Sequence, residues 1–113
     1  MDIVQEIQSK NKLLDLAIKE LAANGYDLAK KESEYKKAVT KKSLELRAED
    51  TPVTLIQLTI YGYEDIALLR LERDIAQTKY NANVEYINTL KLQLRILVNQ
   101  YDKEYGQSDK GGI

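Results

Sequence analysis

The chain has no cysteine, no histidine, no phenylalanine and no tryptophan, and a single proline, Pro52, in 113 residues. Without cysteine there are no disulfides and no thiolate metal sites; without histidine the commonest metal ligand and the commonest general base are missing. These absences weigh against catalysis and against a bound metal or other cofactor. The five glycines, Gly25, Gly62, Gly106, Gly111 and Gly112, are scattered, and none forms a glycine-rich phosphate loop between a strand and a helix. Neither sign of charge dominates: seventeen basic and eighteen acidic residues leave a net charge of −1, so no general attraction to nucleic acid or anionic lipid is expected. No apolar run approaches the roughly 20 residues of a membrane span, and Met1-Asp2-Ile3-Val4-Gln5-Glu6 lacks the basic start and apolar stretch of a signal peptide. The expectation is one soluble, cytoplasmic domain with no membrane partner.

What is present is helix-forming. Up to Arg47, Ile7, Leu14, Leu21, Leu28 and Tyr35 recur seven apart. A second line, Val4, Asn11, Ile18, Gly25, Glu32, Val39 and Leu46, is offset by three or four residues, and together they make the a/d seam of a coiled coil. The spacing predicts one helix over about 3–48, continuous through Asn24-Gly25 although a glycine weakens it there. Glu49-Asp50-Thr51-Pro52 is a stop and restart, because the residue before a proline is driven out of the helical region and Thr or Asp before Pro suits an N-cap. Val53–Tyr61 is β-branched enough for a strand, yet it has no partner strand, so the connector 49–63 is expected to hold a short helix. Beyond Gly62, Ile66, Leu69, Arg73, Ala76, Tyr80, Asn83, Ile87, Leu90, Leu94, Leu97 and Tyr101 step by three and four, predicting a second long helix over about 64–105. The tail 106–113 reads as disordered.

Charge suggests how the helices meet. Residues 30–47 carry seven basic against three acidic side chains and 48–78 carry six acidic against two basic, which face each other in an antiparallel hairpin. The expected fold is therefore all-α, two long helices in an antiparallel coiled-coil hairpin with a short connecting helix. Leu92 and Ile96 lie off the main seam, so the second helix is apolar around more than half its circumference between Ile87 and Tyr101. Docking of two hairpins into a four-helix bundle would bury that stripe, with a different protein as the alternative occupant. Asn11, Glu32, Arg73 and Asn83 then read as polar seam positions that set register.

Two further groups stand out. Lys30, Lys36, Lys37, Lys41, Lys42 and Arg47 form a basic run that reads either as flank pairing along the coiled coil or as a nucleic-acid face. Tyr61 and Tyr63 flank Gly62 beside Leu55, Ile56, Leu58 and Ile60 at the hairpin tip, as an anchor for a partner or as a plug for the end of the bundle. Tyr35, Tyr80 and Tyr101 read as core with the hydroxyl at the rim. Paired carboxylates of a di-iron bundle are excluded by the missing histidine.

Certain residues carry a family likeness. Ala29-x-x-Glu32-x-x-Tyr35-Lys36-x-Ala38, Leu46-Arg47, Thr51-Pro52-Val53-Thr54-Leu55, Asp74-Ile75-Ala76 with Tyr80, and Ile87-Asn88-x-Leu90-Lys91-Leu92-x-Leu94-Arg95 resemble the small coiled-coil proteins encoded among early genes of phages and prophages of Gram-positive bacteria. That resemblance implies a non-enzymatic accessory protein in the bacterial host's cytoplasm. It would act through protein contacts beside replication or recombination proteins or against a host defence system. The chain is also similar in length and architecture to the secreted helical hairpins of type VII secretion. Tyr105-Gly106-Gln107-Ser108-Asp109 fits their C-terminal Tyr and acid spacing, while Ile60-Tyr61-Gly62 lacks their turn tryptophan.

Overall fold

The computed structural model describes residues 2–106. All its elements are helical, and no strand occurs among the described residues: α1 is Ile3–Ala48, α2 is Val53–Thr59 followed by a 3-10 turn Ile60–Gly62, and α3 is Glu64–Tyr101 followed by a π-helical turn Asp102–Gly106. Two long helices and a short one occur, as expected; α3 ends at Tyr101, short of the expected 105, where the π-helical turn takes over. Of the tail expected to be disordered, all but Gly106 lies outside the described residues.

Each boundary has a local cause. The Asp2 carboxylate accepts the Gln5 N–H at 2.8 Å while the Gln5 side chain accepts the Asp2 N–H at 3.3 Å, a reciprocal cap that satisfies donors the first turn leaves orphaned. At the other end of α1, Thr51 N–H bonds back to Leu46 O at 3.0 Å and Asp50 N–H to Arg47 O at 3.0 Å, with Asp50 at φ 62. This is a Schellman ending, with an aspartate in the left-handed position where glycine is usual. Pro52 is the N-cap of α2, and its carbonyl accepts from Leu55 and Ile56 at 3.1 Å. The β-branched run winds as a helix because no strand is there to pair with it, and Ile56 and Ile60, four apart, then share one inward face.

Packing divides the described chain into two compact units, one from the segments up to Ala22 and from Asn81 onward, the other Ala23–Tyr80. In the first, Ala17, Ile87 and Leu90 form the core with Leu14 and Leu21 against them. Asn83 is buried there and donates its Nδ2 to Ala17 O at 3.0 Å. In the second, Leu46, Ile56 and Ile60 form a core with Val39, and Ile66, Ala76 and Tyr35 are buried. Within this unit the α1 and α3 segments run antiparallel, since partners on α3 fall in number as those on α1 rise: Gly25 with Tyr80, Lys31 with Glu72, Lys42 with Asp65. Gly25 lies inside an unbroken helix, where its missing side chain makes room for the Tyr80 ring; an added Cβ would sit 3.4 Å from Tyr80 Cε2.

Four seam residues depart from expectation: Val4, Asn11 and Ile18 on α1 and Tyr101 on α3 are exposed, so the second heptad line of α1 is not covered in the first unit and Asn11 is not a buried register-setting residue. Tyr101 is exposed rather than core, and its ring lies 5.0 Å from that of Tyr105, tilted by 41°.

Candidate interaction surfaces

The tip lies wholly in the second unit and separates into two sets of residues. Ile56 and Ile60 turn inward against Leu46 and are buried, closing the end of the core. Leu55, Leu58, Tyr61 and Tyr63 stay exposed, Leu58 to 83%. The plug and the anchor are thus carried by different side chains of the same connector. Leu58, Thr59, Gly62 and Tyr63 line a shallow depression of about 370 Å³. Nothing lies within 4 Å of where a Gly62 Cβ would be, so this glycine leaves an open surface rather than a packed one.

The tip tyrosines are held by cations. Lys42 Nζ sits 5.0 Å from the centroid of the Tyr63 ring, and the Arg70 guanidinium sits 5.1 Å from that of Tyr61. Deeper in the same unit Arg73 lies 4.7 Å from the Tyr35 ring. Each such contact is worth about 0.5–1 kcal/mol at an exposed site, enough to bias a rotamer but not to bury a ring.

The basic run does not form one face. Lys42 pairs with Asp65 at 3.3 Å and the neighbouring Lys31 with Glu72 at 3.9 Å, both across to α3; Lys36 pairs with Glu32 at 3.4 Å along α1 itself. Arg47 donates to Thr51 O at 3.1 Å, beside the helix ending. Lys30, Lys37 and Lys41, at steps of seven and four, project from the outward face. The Lys42 contact leaves a mark on its acid: partial desolvation raises the Asp65 carboxyl, the Lys42 ammonium and the Ile66 N–H lower it further, and the net result lies below the usual aspartate value. On the opposite flank Lys36, Thr40, Val39, Tyr35, Tyr61 and Arg73 line an open groove of about 490 Å³. There Arg73 pairs with its own neighbour Asp74, at 2.9 Å, and no ion pair between α1 and α3 crosses this flank among the described residues.

In the first unit Leu92 and Ile96 are both more than half exposed, on the side of α3 away from Ile87 and Leu90. Leu16 and Ile18 on α1 are similarly open. The second unit has a comparable feature that the heptad reading passed over: Leu68, Leu71 and Ile75, spaced three and four along α3, are exposed on its outer side. A scan for residues off the main seam would have found them, since they repeat the same helical period one face over.

No group of three or more metal-ligating side chains occurs among the described residues, and no described helix is long and apolar enough to cross a membrane. No protein-family model matches the chain, and neither a curated protein nor a solved structure does.

Proposed function

We propose that the protein is a non-enzymatic interaction module, an antiparallel coiled-coil hairpin that works as a homo-oligomer and engages a further protein through its tip. The observation that carries this reading is the aliphatic surface left outside the paired faces. Leu92 and Ile96 in one unit and Leu68, Leu71 and Ile75 in the other are each about half exposed, at helical spacing. Exposed aliphatic residues are ordinary when scattered singly, whereas repeats along one face mark an association surface. Burying a Leu or Ile side chain stabilises by about 1.5–3 kcal/mol when complete, so even partial cover over several such residues favours association. Once copies associate, the tip remains for a second partner: Leu55, Leu58, Tyr61 and Tyr63 combine aliphatic area with tyrosines held by cations, a composition that suits a protein anchor. The phage early-gene resemblance suggests the class of partner, a phage or host protein of replication, recombination or defence.

Nucleic-acid binding through residues 30–47 is not favoured, because those cations are distributed over several faces and Lys36, Lys42 and Arg47 already have partners.

Thermal unfolding followed by circular dichroism over a hundredfold range of protein concentration tests the proposal. Association linked to folding raises Tm by several degrees across that range, since mass action over a hundredfold contributes about 2.7 kcal/mol. A Tm independent of concentration rules out self-association as part of the fold.

A further inference from the structure

We infer that the second unit carries a two-fold seam at which α3 packs antiparallel on α3 of a second copy, through Leu68, Leu71 and Ile75. The inference rests on the proposed self-association and names its surface and orientation. These three side chains are 55%, 55% and 48% exposed. With Thr78 they continue the alternation of three and four that defines a coiled-coil seam, on a face of α3 turned away from Ile66 and Ala76. An antiparallel pair whose axis passes between Leu71 and Ile75, level with position 73, sets Leu71 of each copy on Ile75 of the other and Leu68 over Thr78. Thr78 suits that place, because its hydroxyl is engaged by Asp74 O at 3.0 Å and its methyl is left for packing.

Charge selects this arrangement. The seam has acids at its start, Glu64 and Asp65, and a base near its end, Lys79. A parallel pair would put like beside like at both ends. The antiparallel pair brings each Lys79 beside Glu64 of the second copy, twice by symmetry, while Asp65 nearby keeps its own Lys42 at 3.3 Å. The two Glu72 carboxylates approach each other near the axis, and each is accompanied by its own Lys31 at 3.9 Å.

The absence of cysteine makes a direct test available, since a single introduced thiol is the only one in the chain. Glu72→Cys, beside the axis, is treated with a short bismaleimide; Tyr26→Cys, exposed on the outward side of α1, is the control. The inference predicts a covalent dimer from Glu72→Cys and little from Tyr26→Cys. It also predicts that Lys79→Glu weakens dimerisation by about tenfold and that adding Glu64→Lys restores it, on the scale of two exposed ion pairs reversed in sign. Circular dichroism confirms that each variant remains helical. A wild-type dimer with no cross-link from Glu72→Cys and no response to the charge reversal overturns the seam while leaving self-association standing. A wild-type chain that is monomeric throughout overturns both.

Discussion

Asp50 illustrates how a single residue is placed by chemistry and strained by conformation. Its φ of 62 is required by the turn that ends α1, where Thr51 and Asp50 N–H groups return to Leu46 and Arg47 carbonyls. Aspartate tolerates the left-handed region better than most residues, but glycine occupies it without a Cβ penalty. Asp50→Gly is therefore expected to stabilise the protein by about 0.5–1 kcal/mol in urea unfolding, and Asp50→Val to destabilise it by at least as much. Equal stability for the two variants would mean that the turn does not hold Asp50 in that conformation. At the same scale Leu90 and Leu92 are two residues apart and in opposite circumstances. Leu90, 2% exposed against Ala17, should cost about 2–4 kcal/mol when changed to Ala. Leu92→Ala should cost little at concentrations where the chain is monomeric and weaken association where it is not. The check is denaturant unfolding of both variants at low and high concentration.

The elements were legible in the sequence to the extent that they depend on period and punctuation. The heptad lines through Leu14, Leu21, Leu28 and Tyr35 and the steps from Ile66 to Leu97 delimit α1 and α3, because a helix buries one face and repeats it every three or four residues. Thr51-Pro52 marked the place of the break but not its chemistry: α1 ends in a turn with Asp50 at φ 62, and the N-cap of α2 is Pro52, with no side-chain cap, rather than Thr51 or Asp50. The connector was less legible: Val53–Tyr61 is rich in β-branched residues, and only the lack of any strand to pair with argued for a helix. The inward turn of Ile56 and Ile60, and the outward turn of Leu55 and Leu58, depend on how α2 lies against Leu46, which no local pattern states. Tyr101 was misplaced for a related reason. The period puts it in the seam, as it does Val4, Asn11 and Ile18 on α1, but burial also requires a neighbour that periodicity does not supply, and all four are exposed. Asn83 shows the reverse case: its seam position anticipated a register-setting role, and the bond to Ala17 O supplies the contact through which such a residue can act. The partners of the basic run were only half visible, since the sequence showed opposite charge in the facing segments without saying which lysines reach across.

At the scale of the whole molecule, the proposed function rests on surfaces. The apolar stripes on the outer sides of the helices and the ion pairs of Lys31 with Glu72 and of Lys42 with Asp65 are the features it draws on. The main seam accounts for Ile87, Leu90, Ile66 and Ala76; it leaves Leu68, Leu71, Ile75, Leu92 and Ile96 without cover. The proposed account is that a second copy covers them, the tip then serving as the contact for another protein. Hydrophobic association survives added salt, whereas contacts made only by exposed charges weaken with it. Molar mass by light scattering after size-exclusion chromatography, at low and at high salt, tests this most directly. The account predicts a mass of two or more chains of 13.0 kDa at both salt concentrations. A single-chain mass at both, at the highest concentration that can be loaded, would contradict it.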